Sequence, residues 1–147
     1  MFKKIVCAVD GSQHALRAAM VASELAAKVG AKLIFLTVTK PVKLTEDVKR
    51  YMAAEHLTGS PQYVLDELTE RILDQAKECA NKCGVTKAST EVKTGHPART
   101  IVAFSESSGA DLLVLGSRGL GDIEGMLLGS VSHKVASLAK CSCLTVK

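Results

Sequence analysis

The sequence predicts one α/β domain, with a five-stranded, mostly parallel sheet and helices on both faces. Three observations lead to this prediction. Short apolar segments typical of buried strands alternate with longer segments whose apolar residues recur at helical spacing. Turn and cap residues separate these segments. The length of 147 residues suits one ordinary domain with a core, so we assign residues 1–147 to a single domain.

The first two strands and the helix between them have the clearest patterns. Residues 3–9 (KKIVCAV) form a short run rich in β-branched residues, and residues 10–12 (DGS) supply a stop and a helix cap. Apolar positions recur at helical spacing over residues 15–29, and Gly30 ends this helix. Residues 31–39 are apolar almost throughout, as expected for a strand covered on both faces.

The middle of the chain begins with a weaker pattern over residues 40–60, to which we assign no function. It allows a short helix near residues 46–56, followed by turn residues at 58–61. Helical spacing returns over residues 62–83. The polar segment 86–94 alternates weakly, which is typical of a strand at the edge of a sheet.

The last third repeats the alternation of strand and helix. Pro97 begins a helix at a position where a missing N–H costs nothing. Residues 111–115 form an apolar strand, and a glycine-rich loop over residues 116–130 follows it directly. Residues 131–140 have helical spacing, and residues 144–146 form a last short strand.

Composition excludes several classes of function. The net charge is +4, the basic residues are scattered, and the chain has only five aromatic residues, which argues against nucleic-acid binding. No segment approaches the roughly 20 apolar residues of a membrane helix. The apolar stretch at residues 5–9 is too short for a signal peptide. We therefore expect a soluble, cytoplasmic protein with no membrane partner.

Five cysteines, an odd number, argue against a disulfide framework. Cys79 and Cys83, together with Cys141 and Cys143, offer four possible zinc ligands, but neither pair has the spacing typical of zinc sites. We favour the alternative that all five, including Cys7, act as small apolar residues.

Four residues follow the carboxyl ends of predicted strands: Asp10, Val38, Gly95 and Gly116. In a parallel sheet these ends lie at one edge, and α/β proteins bind ligands there, where the strand order reverses. We therefore expect these residues to lie around one binding site.

The glycine-rich loop adds a second indication of a ligand, because it holds five of the eleven glycines. Gly129 precedes the last helix, whose first N–H groups attract phosphates, and Ser130 and Ser132 add hydroxyl donors. Gly116 and Gly119 present further N–H groups. The spacing G-x2-G-x9-G-S therefore favours a phosphate site. The alternative is an ordinary loop followed by an ordinary helix cap.

Four motifs together resemble the universal stress protein family. They are IVCAVDGS (residues 5–12), GHP (95–97), GSRG (116–119) and GSVS (129–132). The last two fit the family's ATP-binding signature, G-x2-G-x9-G-(S/T), without a gap.

The resemblance implies a Rossmann-like fold of the adenine-nucleotide alpha-hydrolase type, with ATP across the strand ends. It also implies a homodimer joined through the last strand. This chain lacks the proline that often precedes that strand in the family, because residues 139–143 read AKCSC, so the dimer geometry stays open.

Roles carry over from the family residue by residue. Asp10 would face the ribose or a phosphate-bound Mg²⁺, with a helix cap as the alternative. Val38 would border the adenine through its main chain. Gly95 would allow the ligand to approach closely, and the alternative is that it only forms the turn before Pro97. Gly116 and Gly119 would line the ribose and phosphates.

The start of the last helix would hold the phosphates. Gly129, Ser130 and Ser132 would contact them, and Val131 would contribute its backbone. Arg118 would pair with a phosphate, or else remain an exposed arginine of the loop.

The resulting function is an ATP-binding stress sensor that signals to an unidentified protein partner. Asp10, Arg118 and backbone amides favour holding a nucleotide over cleaving it, since hydrolysis also needs a positioned water. The alternatives are a slow ATPase or self-phosphorylating enzyme, and a nucleotide-free dimeric scaffold.

Overall fold

The computed structural model describes residues 1–41, 43–56, 61–125 and 127–147. Over these residues five strands and five helices follow one another. Their bounds are β1 (Lys4–Ala8), α1 (Gln13–Val29), β2 (Lys32–Thr39), α2 (Glu46–Ala54), α3 (Pro61–Lys82), β3 (Ala88–Thr94), α4 (Pro97–Ser108), β4 (Leu112–Gly116), α5 (Ser130–Leu138) and β5 (Ser142–Val146).

The sheet has the order β3-β2-β1-β4-β5, and every neighbouring pair is parallel. The prediction of a mostly parallel sheet is thus confirmed and sharpened. The chain winds from β1 outward to β3 and then crosses to β4 on the other side of β1. The strand order reverses between β1 and β4, so the carboxyl ends of these two strands form the crevice in which such sheets bind ligands.

Two apolar layers enclose the sheet. On one face Ile5 and Cys7 of β1 pack with the alanines of α1 and with Leu73 of α3. On the other face Val6 packs with Ile101 of α4 and Val135 of α5. Alternate residues of a strand point to opposite faces, so a continuous apolar run is what a strand covered on both sides requires.

The residues predicted to begin and end α1 do so in the structure. The Ser12 hydroxyl caps the helix by accepting a hydrogen bond from the Ala15 N–H at 3.1 Å. Gly30 ends it with φ 67°, a left-handed conformation that glycine adopts without steric cost.

The boundaries differ from the prediction by one or two residues at several elements, including the last strand, which begins at Ser142 instead of 144. Ser142 carries no apolar signal, but it and Cys143 pair with Leu112 and Leu113 of β4. Tertiary pairing therefore extends the strand beyond its local pattern. The predicted turn at residues 58–61 falls largely outside the described residues.

The cysteines take the apolar role. Cys79 and Cys83 pack on the α1/α3 face of the sheet, whereas Cys141 and Cys143 pack on the α4/α5 face, so the two pairs do not meet in a zinc site. Burial raises the pKa of the Cys7 thiol far above its usual range, with a smaller contribution from Cys79. None of the described helices is long and apolar enough to span a membrane.

Gly116 provides a test of how closely α1 approaches β4. A Cβ at this position would lie 2.7 Å from the His14 carbonyl carbon and 2.8 Å from the Ala15 nitrogen, and the α1 backbone has no room to yield. We expect Gly116→Ala to lower the free energy of unfolding by about 1–3 kcal/mol, measured by urea denaturation. Gly121→Ala is the matched control, since nothing lies within 4 Å of its Cβ position. Equal stabilities would contradict this account.

Candidate functional site

A cavity opens at the carboxyl ends of β1 and β4, where the strand order reverses. It contains about 610 Å³ of space, including some that is open to solvent. The predicted residues that line it are Asp10, Val38, Gly116, Arg118, Gly119, Val131 and Ser132.

The floor of this cavity is apolar. Ala8 ends β1, Leu36 lies within β2, Leu115 is next to the end of β4, and Ile101 comes from α4. A floor of this kind accommodates a flat ring, and polar groups at the rim give it orientation. The sequence analysis assigned no role to these four residues, although two of them, Ala8 and Leu115, lie at or next to strand ends.

A second cavity adjoins the first and shares Asp10, Val38, Gly119 and Val131 with it. It adds Ser130, Asp122 of the glycine-rich loop and Lys40, which follows β2. Gly95 and Gly129 line neither cavity. The Gly95 N–H donates to the Thr39 carbonyl at 2.9 Å, and the Gly129 N–H donates to the Ser117 carbonyl at 2.6 Å.

The start of α5 binds an anion that belongs to the chain itself. One carboxylate oxygen of Asp122 accepts the Gly119 N–H, and the other accepts the Ser130 N–H at 3.3 Å. We call these two N–H groups the anion cradle. Unpaired N–H groups and the helix dipole make such a position favourable for negative charge. The sequence analysis missed Asp122, although an acidic residue between the two glycine motifs was the available signal.

The glycines at the anion cradle provide space. A Cβ on Gly129 would lie 2.7 Å from Cγ of Asp122, and a Cβ on Gly119 would lie 2.7 Å from Oδ2 of Asp10. The Gly129 backbone, with φ −72° and ψ 167°, suits any residue. Position 129 therefore requires glycine because a larger side chain would overlap the Asp122 carboxylate. It does not require glycine for its backbone conformation.

Asp10 connects the end of β1 with the loop. Its Oδ1 accepts the Ser12 N–H at 2.9 Å, and its Oδ2 accepts the Leu120 N–H at 3.3 Å. The alternative role of Asp10 as a helix cap is wrong, because Ser12 caps α1. The carboxylate of Asp10 instead holds the loop at the rim of the cavity.

Arg118 is a cation without a counter-ion at this rim. It lines the first cavity, is half-buried, and forms no ion pair within the part of the chain that the structure describes. A guanidinium in this position is available to an anionic ligand.

Comparison with known proteins identifies the chain. The sequence pattern of the universal stress protein family matches residues 1–147. The chain belongs to the universal stress protein family. It is 36% identical over 157 aligned residues to universal stress protein YxiE of Bacillus subtilis, with both chains fully covered. It is 36% identical over 149 residues to universal stress protein MJ0531 of Methanocaldococcus jannaschii, covering all of this chain and 83% of that protein.

Solved structures of universal stress proteins share the fold. One is a complex with cAMP, which is 32% identical to this chain with a TM-score of 0.74, covering 99% of this chain and 97% of that one. Another, from Archaeoglobus fulgidus in complex with dAMP, has a TM-score of 0.68 and covers 100% of this chain and 98% of that one. At 18% identity it supports the fold alone.

In this universal stress protein Ser117 fastens the base of the loop. It is 1% exposed, and its N–H donates to the Val146 carbonyl at 2.7 Å. Its carbonyl accepts the Gly129 N–H and lies 2.8 Å from the Ser132 hydroxyl, and its own hydroxyl lies 2.9 Å from Nδ1 of His14. The Ser132 hydroxyl, predicted to contact phosphate, is therefore engaged within the protein in this structure.

The Asp10 hydrogen bonds predict a local effect on the loop. We expect Asp10→Ala to speed amide hydrogen exchange at Leu120 and to lower the free energy of unfolding by about 1–3 kcal/mol, because two N–H groups lose a charged acceptor. NMR exchange rates and urea denaturation measure these effects. Asp74→Ala, on the exposed face of α3, is the control for losing one carboxylate. Unchanged exchange at Leu120 would show that Asp10 does not hold the loop.

Proposed function

We propose that this universal stress protein binds an adenine nucleotide, ATP, and acts as a nucleotide-dependent sensor. The observation that carries the proposal is the anion cradle, where Gly119 and Ser130 already bind a carboxylate of the chain. A phosphate presents the same negatively charged oxygens to the same N–H donors.

The base and ribose fit the first cavity. The apolar floor of Leu36, Ile101 and Leu115 accepts the face of an adenine, and Val38 lines the same cavity. The cAMP complex of a universal stress protein 32% identical to this one supports an adenine nucleotide as the ligand. In this arrangement Gly116 lines the cavity and also packs closely against α1.

The phosphates extend toward the start of α5. The anion cradle donates two N–H groups, and Arg118 supplies a guanidinium from the adjoining wall. The second cavity continues past Ser130 to Lys40, which provides room and a further positive charge for a chain of phosphates. This extension supports ATP over a monophosphate.

Mg²⁺ would accompany the phosphates. Among the described residues no group of three or more His, Cys, Asp and Glu side chains is arranged to hold a metal ion. Phosphate oxygens and water would therefore supply most of its ligands, with Asp10 as the nearby carboxylate. A bound Mg²⁺ neutralises part of the phosphate charge beside that carboxylate.

The loop converts binding into a signal. Leu120 and Ile123 are 72% and 73% exposed on the segment that also carries the cradle residue Gly119. A ligand that reorders this segment changes the apolar surface offered to a protein partner. We propose binding instead of hydrolysis, because amides and one guanidinium hold phosphates but position no attacking water.

The open edge of β5 is the proposed homodimer interface. β5 pairs with β4 on one side only, and Leu144 is 36% exposed on it. An edge strand offers unpaired backbone groups to the same strand of a second copy.

The dimer proposal has a matched test at the two edges of the sheet. We expect Leu144→Asp to give a monomer by size-exclusion chromatography with light scattering, because a charge at the pairing edge opposes association. Val92→Asp on β3, the opposite edge, alters a residue 47% exposed and leaves the dimer intact. A dimer that survives Leu144→Asp but not Val92→Asp would place the interface at β3.

The nucleotide proposal is tested at Gly129. A valine there fills the anion cradle with methyl groups while the backbone conformation is retained. We expect Gly129→Val to weaken Mg-ATP binding by about 100-fold or more in calorimetry, since roughly two charge-assisted hydrogen bonds are lost. Mg-ATP should also raise the melting temperature of the wild type but not of this variant.

Gly121→Val is the control within the same loop, because its Cβ position is open. Wild-type affinity in Gly129→Val would show that the start of α5 is not the phosphate site.

A further inference from the structure

Asp122 occupies the position at which the proposed function places a phosphate. Its two carboxylate oxygens accept the N–H groups of Gly119 and Ser130, and the space next to Gly129 is filled by its Cγ. A phosphate cannot enter the anion cradle until this side chain has left it. The site therefore has two alternative anions, one belonging to the chain and one to the ligand.

We propose that Asp122 is an internal competitor that determines how tightly the site binds phosphate-bearing ligands. The inference rests on the proposed nucleotide site and specifies its regulation. Asp122 is joined to the cradle by a short tether, since only two residues separate it from Gly119. Its effective concentration at the cradle is therefore high, and every phosphate binds at the cost of displacing it.

Charge strengthens this competition. The helix dipole and the N–H donors favour one anion at the cradle, but a carboxylate and a phosphate placed together repel each other. Phosphate gains a contact that Asp122 does not make, because Arg118 has no anionic partner in the described structure. The guanidinium thus favours exchange toward the ligand.

Displacement also releases the loop. Asp122 joins Gly119, near the start of the loop, to Ser130 at its end, and the Asp122 N–H donates to the Gly119 carbonyl at 3.5 Å. When the carboxylate leaves, this cross-connection is lost and the segment carrying Ile123 changes position. The exchange of anions consequently links ligand binding to the exposed surface of the loop.

The competition selects among ligands by their phosphates. A nucleoside without phosphate binds the apolar floor and leaves Asp122 in the cradle, whereas a nucleotide has to displace it. Removing the carboxylate charge should therefore improve binding of ATP and leave binding of adenosine unchanged.

The experiment compares Asp122→Asn with Glu124→Gln by calorimetry against Mg-ATP and adenosine. Both variants remove one negative charge from the same loop, but Glu124 is exposed and lies outside the cradle. We expect Asp122→Asn to bind Mg-ATP about tenfold more tightly, because a neutral amide is a weaker competitor. Adenosine binding should not change, and Glu124→Gln should stay within about twofold of the wild type.

A second variant and a second measurement separate competition from a structural role. Asp122→Ala removes the competing side chain altogether and should bind Mg-ATP at least as tightly as Asp122→Asn. Amide exchange at Gly119 and Ser130 in the ligand-free protein should become faster in both variants. If Asp122 serves only to shape the loop, both variants will instead bind Mg-ATP more weakly, and the inference is overturned.

The outcomes also distinguish this inference from the proposed function. Equal Mg-ATP affinity in the wild type and both variants, with loss of binding in Gly129→Val, would retain the nucleotide site and reject the competition. Absence of Mg-ATP and adenosine binding in every variant would reject both.

Discussion

The first backbone N–H groups of α5 have no acceptor within their own helix, and the site is arranged around this deficit. Ser130 finds its acceptor in Asp122, which also takes the Gly119 N–H from the opposite side of the loop. The two ends of the glycine-rich loop are thereby held together through one negative charge. The position of the loop and the need for glycine at Gly129 both follow from the acceptor that these N–H donors require.

Gly116, Gly119 and Gly129 are each required in this chain for a different physical reason. Gly116 is needed because the backbone of α1 lies against it, which is a requirement of the fold. Gly119 leaves space for the carboxylate of Asp10, and Gly129 leaves space for that of Asp122. A single motif thus combines one packing constraint with two positions that accommodate negative oxygens.

The sequence was sufficient for the elements whose signals are local. The apolar runs of β1 and β2, the cap at Ser12 and the stop at Gly30 are all as predicted, because strand burial and helix capping are encoded over a few residues. The edge position of β3 followed from its polar alternation. The start of β5 at Ser142 could not be predicted from its local sequence, because it depends on pairing with β4.

The cavity at the edge of the sheet could be predicted from the sequence, but the hydrogen bonds around it could not. Strand ends and the loop glycines pointed to the edge of the sheet where the cavity opens, and Asp10, Val38 and Gly116 do line that cavity, whereas Gly95 does not. The role of Asp122 could not be read from spacing, because it depends on how a loop of irregular backbone folds back onto a helix. The hydrogen bonds of Ser117 could not be predicted either, because its partners His14, Ser132 and Val146 belong to other elements of the fold.

The bonds of Ser117 separate the foundation of the loop from its tip. Each polar group of this buried residue is already committed to α1, to α5 or to the end of β5, so the loop has fixed points of attachment. The segment between them contributes little to the core, and Leu120 and Ile123 are largely in solvent. Substitutions at the tip should therefore change the surface that the loop exposes while the attachment points, and with them the stability of the sheet, stay nearly unchanged.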